Sequence, residues 1–355
     1  MTDLFKNKRE LSRYVGEFSQ LFGVRDMTLN GGRAQGVRAL EVNNGSGLSL
    51  TVLPDRAMDI AWLSYRGCNL SYITRAGIVA PAYFEENGLN FLRSFTAGFL
   101  TTCGLRNVGS PCEENGESFG LHGTIANMPA EEVSAVVDWP GESPEIILRG
   151  KLRDARLFGQ HLLLERKISC PVGTAGFQIS DRIENMGFSP EPLMLLYHFN
   201  LGYPLLDADA ELLLPVKATR ARDAVAEPGI ADCCQFQPPT PGYSEQVFFH
   251  DLSTDTQGRT CAALINSRLG LGVSFHYSKA LLPNLAEWKM MGEGDYVLGI
   301  EPCNNFVNGR AAARQAGELD ILAAGEVRRY TLDIAFHEGE SELQQLRQTI
   351  GQLGG

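Results

Sequence analysis

The chain has 355 residues, 44% hydrophobic and 21% charged, so it can bury a substantial core and has the balance of an ordinary globular protein. A net charge of −11 at pH 7 argues against nucleic acid or an anionic membrane as partner and leaves a small neutral molecule compatible. No apolar run approaches the roughly 20 residues of a membrane helix.

The opening MTDLFKNKRELSRY carries charges where a secretory signal needs an apolar run, which predicts an unexported, cytoplasmic protein. Phe5, Leu11, Val15, Phe18 and Phe22 fall roughly on one helical face, and Asp3 stands where it can cap. This predicts a helical extension over 1–22. VRALEV and LSLTVLP then flank NNGSG, the mark of a hairpin. DIAWLSYRG, EIILRGKL, HLLLERKISC, GFQISDRIEN, LGLGVSFHY and RRYTLDIAF follow as short runs rich in branched or aromatic residues, separated by turn residues. QFQPPTPGY at 235–243 reads as a surface loop. Leu343, Leu346, Ile350 and Leu353 repeat at helical spacing, and Ser341 with Gln344 resembles a capping box, so a helix is expected over 340–355. No repeated strand–helix pattern and no glycine-rich nucleotide loop appears. The expectation is a single all-β dominated domain over 1–355, a large antiparallel β-sandwich with short terminal helices.

Cys68, Cys103, Cys112, Cys170, Cys233, Cys234, Cys261 and Cys303 include no C-x-x-C, and only Cys233 and Cys234 are close in sequence. Such scatter fits reduced thiols rather than disulfides or a zinc site, so no metal is expected.

Four sets of residues place polar groups where a plain sandwich has no need of them. In FGLHGTIANMPA, His122 sits between Gly120 and Gly123, which permit tight turns and close backbone approach. It is either a solvent-exposed turn residue or a group projecting into a cavity. In LMLLYHFNLGYPLL, strand alternation puts His198 and Asn200 on one face, with Tyr197, Phe199 and Leu201 on the other. A buried imidazole must recover its lost hydration, either from a backbone carbonyl or as a proton carrier at a pocket. In YVLGIEPCNNFVNGR, Glu301 ends an apolar strand just before a proline that stops ladder pairing. That location suits either a surface carboxylate or one facing a cleft, with Asn304 and Asn305 nearby. Arg56, Arg93 and Lys289 lie in mixed apolar surroundings, as structural ion pairs (Arg56 with Asp55 or Asp59) or as grips on a ligand.

Three of these stretches stand in an order that resembles the aldose 1-epimerase (galactose mutarotase) superfamily, in a divergent branch known only as a domain of unknown function. LHG at 121–123 resembles its His–Gly loop, IENMGFSPEPLMLLYHFNL at 183–201 its histidine strand, and GIEPCNNFVN at 299–308 its Leu-Glu-Pro-Gln element. The resemblance implies a supersandwich with the site on a concave face and no cofactor. It makes Glu301 the general base on the anomeric hydroxyl and His198 the general acid on the ring oxygen. His122, Arg93, Arg56, Lys289, Asn200 and Asn304 are left to bind substrate. His198 is followed by Phe199, without the family's intervening tyrosine, and LRSFTAGFLTTCGL replaces its arginine-rich run. Asp251 and Glu245 are candidates by position for its substrate-binding aspartate. The expected activity is anomer interconversion on a small sugar. A sugar-binding protein without catalysis, or an isomerase or lyase acting on a keto- or acidic sugar, is the alternative. A homodimer is compatible with the chain.

Overall fold

The computed structural model describes Phe5 and residues 7–354. Two antiparallel sheets pack face to face. The larger has eleven strands, and its main path runs Gly23–Thr28, Arg38–Asn43, Leu48–Leu53, Asp59–Tyr65, Leu100–Leu105, Met194–Leu201, Tyr296–Cys303, Asn284–Met291, Gln246–Leu252, Val216–Ala221. The second has eight, in the order Glu131–Asp138, Glu145–Ala155, His161–Pro171, Gly176–Asn185, Val327–Glu338, Leu271–Ser278, Arg259–Asn266, Ala210–Leu213. The NNGSG turn joins a hairpin in which Leu40 faces Val52.

Alternation builds the core. In Gly176–Asn185, Phe177, Ile179, Asp181, Ile183 and Asn185 turn inward while the residues between are only half-buried. Phe199 of the large sheet meets Phe275 of the second with ring centroids 4.5 Å apart. The Met194–Leu201 and Tyr296–Cys303 strands are buried on both faces, which is why their sequences read as continuous apolar runs. One face meets the second sheet and the other is roofed by loops.

A fully buried ion network crosses the core. Arg166 donates to Asp181 through Nε and Nη2 (2.9 and 2.6 Å) and to Asp59 through Nη1 (2.8 Å). Tyr197 Oη donates to Asp181 (2.8 Å), and the Thr102 N–H and hydroxyl donate to Asp59.

The terminal helices differ in outcome. Glu340–Gly354 is a helix, and Leu343, Leu346 and Ile350 bury against Cys261, Ala263 and Ile265 on the outside of the second sheet. The expected capping box does not form: Gln344 donates to Glu340, and the Glu342 carboxylate accepts from the Glu338 N–H. The N-terminal segment is not one helix. Lys8–Leu11 is a single turn capped by Asn7, and a 3-10 turn, Phe18–Gln20, restarts after Gly16 with Glu17 accepting from the Ser19 N–H. Asp3 lies outside the described residues. Phe5, Leu11, Val15 and Phe22 are buried all the same, so their spacing recorded burial along a broken path rather than one helical face. All eight cysteines are free thiols. Among the described residues no helix is long and apolar enough to cross a membrane.

Candidate active site

His198 and Glu301 stand on neighbouring central strands. Leu196 pairs with Cys303 and Phe199 with Ile300, one continuous register that sets His198 opposite Glu301. The ladder bridges lapse between those two pairs, at Pro302, which has no N–H to give. The strand nevertheless continues to Cys303, with Pro302 facing Leu285 on the other side. The proline therefore opens a gap in the ladder without ending the strand, and Glu301 sits mid-sheet rather than at a strand terminus. His198 Nε2 lies 3.1 Å from Glu301 Oε1.

The space the pair needs is kept by Gly299. A Cβ there would stand 2.6 Å from Glu301 Oε1, 3.0 Å from Trp288 Cβ and 3.1 Å from His198 Cε1.

Above the pair is a cavity of about 510 Å³ on the face of the large sheet turned away from the second sheet. Phe91 and Phe95 wall one side, Trp288 and Val247 another, and Gly109–Pro111 with His122 a third. His198 is ringed by aromatic groups, with centroid distances of 5.4 Å to Phe95, 5.5 Å to Trp288 and 5.8 Å to His122. A larger hollow of about 640 Å³ spreads over the solvent side of the second sheet among Arg149, Lys151, Glu165 and Arg182. Its surface charges pair as a sheet surface does, as in Lys151–Glu132 and Arg182–Glu165, and its buried members Arg166 and Asp181 are spent on each other.

Burial sets the proton chemistry. It pushes the Glu301 carboxyl up to about 8; the Glu245 charge adds to this and the Arg222 guanidinium opposes it. Burial also takes His198 well below the ordinary histidine value, with His122 adding and the Asn200 amide opposing. His122 falls to about 4 through burial alone. At neutral pH the pair is thus a carboxylic acid beside a neutral imidazole.

The His122 loop is held by its glycines. A Cβ on Gly120 would collide with the Glu86 carbonyl, and one on Gly123 with the Gly104 carbonyl. His122 itself takes a left-handed φ of 58°. Its N–H donates to the Gly109 carbonyl, and Gly109 N–H donates to its Nδ1 at 3.4 Å. With Nδ1 accepting, the ring proton belongs on Nε2, so His122 is an uncharged hydrogen-bond donor.

The other expected binding residues lie elsewhere. Arg56 is buried, and its guanidinium donates to the carbonyls of Val79 (2.7 Å) and Ser94 (3.0 Å), anchoring the turn that carries Phe91 and Phe95. Asp55 pairs with Arg38 and Asp59 with Arg166, so neither forms the expected partner of Arg56. Lys289 lies on the opposite face of its strand from Trp288, donating to the Asp232 and Gln235 carbonyls. Arg93 is exposed and off the cavity wall. Asn304 stitches two strands, accepting from the Leu195 N–H (2.7 Å) and donating to the Leu193 carbonyl (2.8 Å). Asn305 donates to the Glu318 carbonyl. Asn200 shares the His198 face but is not a wall residue: its amide donates to the His198 carbonyl (2.8 Å), leaving its Oδ1 and His198 Nδ1 without partners. Asp251 binds Lys279 away from the cavity. Of the two positional candidates, Glu245 reaches the wall, accepting from Trp288 Nε1–H (2.9 Å) and from Arg222 (3.1 Å).

Phe91, Phe95, Arg222 and Trp288 were not singled out from the sequence. Strand alternation in AEWKMM carried the signal for one of them, because Trp288 and Lys289 must face opposite ways.

The two sheets, their strand order and the roofed cavity make this a galactose mutarotase-like β-sandwich. A candidate aldose 1-epimerase from Klebsiella pneumoniae superposes with a TM-score of 0.90 at 24% identity, covering 99% of this chain and 95% of that one. A galactose mutarotase-like protein from Clostridium acetobutylicum gives 0.63 at 12% identity over 90% and 99%, and a galactose 1-epimerase from Lactobacillus acidophilus 0.59 at 15% over 90% and 100%. Within that fold the chain belongs to the family defined by the domain of unknown function DUF4432, which matches residues 34–336. No curated protein matches it in sequence.

Proposed function

We propose that the protein is an aldose 1-epimerase-like isomerase that exchanges the anomers of an uncharged sugar by acid–base ring opening. The reading is carried by one observation: a buried carboxyl and a buried imidazole, 3.1 Å apart, at the floor of a cavity of about 510 Å³. Opening a pyranose removes a proton from the anomeric hydroxyl and delivers one to the ring oxygen; closing reverses both transfers. The couple needs one acid and one base, hence one proton between them. Protonated Glu301 with neutral His198 meets that count, and so does the carboxylate–imidazolium form reached by moving the proton across their hydrogen bond. In the second form Glu301 is the base and His198 the acid. His122 holds a sugar hydroxyl through Nε2–H, and Trp288, Phe91 and Phe95 offer apolar faces to the ring carbons.

An acidic or phosphorylated substrate finds little support. Arg56, Lys289 and Arg93 do not line the cavity, and Arg222, which does, is bonded to both Asp223 and Glu245. A binding protein without catalysis has no use for a desolvated acid–base couple, whose burial costs stability.

Saturation-transfer NMR between anomers, run over neutral aldoses, sugar acids and sugar phosphates, tests the reading. Accelerated exchange of at least one neutral aldose is expected; binding without acceleration would sink it. The rate should fall as pH rises through about 8, where Glu301 gives up the one proton. No acid limb should appear near pH 6.5, the ordinary histidine value, because His198 titrates well below it. Gly299→Ala should cut the same rate by up to about 10²-fold, the scale of an ångström-level misplacement of reacting groups. Its urea midpoint should fall as well, since an overpacked buried methyl costs about 1–3 kcal/mol, while the far-ultraviolet spectrum stays that of the wild type.

A further inference from the structure

On the core side of the large sheet, behind the cavity, three chemically distinct side chains converge. Cys233 follows the Glu227–Asp232 turn, His250 lies on the Gln246–Leu252 strand, and Glu287 lies on Asn284–Met291. The strand register pairs His250 with Leu285 and Phe248 with Glu287, which makes the histidine and glutamate diagonal neighbours on one face. A sulfur, a ring nitrogen and a carboxylate oxygen from the three all lie within 4.8 Å of one another. All three residues are buried, at 6%, 2% and 1% exposure.

Two further observations say the cluster is short of a partner. Glu287 Oε1 is fully buried and receives no hydrogen bond, an arrangement that is destabilising if nothing else binds it. Lys289, the cation in the neighbourhood, does not relieve it, because its ammonium donates to the Asp232 and Gln235 carbonyls. Meanwhile Thr219 Oγ1 sits 2.9 Å from His250 Nδ1 and aims Nε2 at Glu287 Oε2, also 2.9 Å away. Holding the far ring nitrogen fixes the ring's orientation, the part that outer partners play for a metal-ligating imidazole.

We propose that Cys233, His250 and Glu287 bind one divalent ion of the zinc class. Thiolate, imidazole and carboxylate together suit that borderline-soft ion and neutralise its charge. A fourth position is left for water or for the thiol of Cys234, whose Sγ is 3.7 Å from that of Cys233. The ion would pin the segment between Arg222 and Glu245, the two charged residues it delivers to the cavity wall, so the site is structural. Cysteine spacing argued against zinc because such rules read ligands close in sequence, whereas these come from a loop and two strands.

The test is Co²⁺ titration and elemental analysis of the full-length reduced protein after removal of metal by a chelator. One equivalent per chain is expected, with a near-ultraviolet thiolate-to-cobalt band and the visible bands of a four-coordinate ion; its intensity counts one thiolate or two. Cys233→Ser should abolish the thiolate band of a one-thiolate site and roughly halve that of a two-thiolate site, and Cys68→Ser should leave it intact. Zn²⁺ should raise the melting temperature of the wild type. If the wild type retains no stoichiometric Zn²⁺ or Co²⁺, or if the thiolate band survives Cys233→Ser at full intensity, the site is overturned.

Discussion

Glu301→Gln slows anomer exchange by about 10²–10⁴-fold and leaves the fold intact, the expected outcome if this side chain carries the transferred proton. Glutamine keeps the volume and the hydrogen-bonding reach, and its amide can still donate to His198 Nε2, so the packing around Gly299 and Trp288 is undisturbed. What it lacks is a proton to exchange. The alkaline limb near pH 8 should vanish with it, since that limb belongs to the Glu301 carboxyl. A variant that keeps full exchange, or keeps the limb, assigns the chemistry to another group. Line-shape or saturation-transfer NMR reads both, and a far-ultraviolet spectrum checks the fold.

Arg166→Ala destabilises the protein by about 3–5 kcal/mol, because it leaves two buried carboxylates without their counter-ion. Asp59 and Asp181 both depend on that guanidinium. Even with Arg166 present, burial holds Asp59 up at about 6. A carboxyl whose folded pKa lies above its unfolded value of about 3.9 binds more protons when folded. Its stabilising contribution is therefore full below that unfolded value and lost as pH rises through about 6. Without Arg166 the Asp59 carboxyl moves further up, so the deficit should be smallest near pH 4 and should widen toward pH 8. Urea unfolding at several pH values measures it; a deficit that shrinks as pH rises would refute the account.

Much of the architecture was legible, for a physical reason. Alternation and turn residues report which face of a strand is buried, and GFQISDRIEN reports it directly: every second residue points inward. The polar residues in the apolar strands, His198 and Glu301, were also legible, because a buried ionisable group in such a run needs a partner, and each proved to be the other's. What could not be read was the use of buried cations and amides. Arg56, Lys289 and Asn304 are as desolvated as cavity groups, but their hydrogen bonds go to backbone carbonyls and amides of loops that only the tertiary fold brings near. Phe5, Leu11, Val15 and Phe22 mark the same limit from another side. Helical spacing was satisfied by burial alone, while Gly16 and the Asn7 and Glu17 caps broke the helix locally.

The buried pair rides on two inner strands locked on both sides by neighbours, while much of the cavity wall comes from separate connecting segments around 89–95, 109–111 and 222–245, with Val247 and Trp288 supplied by strands. Under the proposed function, most of the selectivity surface is thereby mechanically separate from the chemistry. Grafting new wall segments onto this frame should retune which guests are admitted without disturbing the 3.1 Å contact beneath them, which makes the scaffold a natural starting point for altering substrate range by loop exchange.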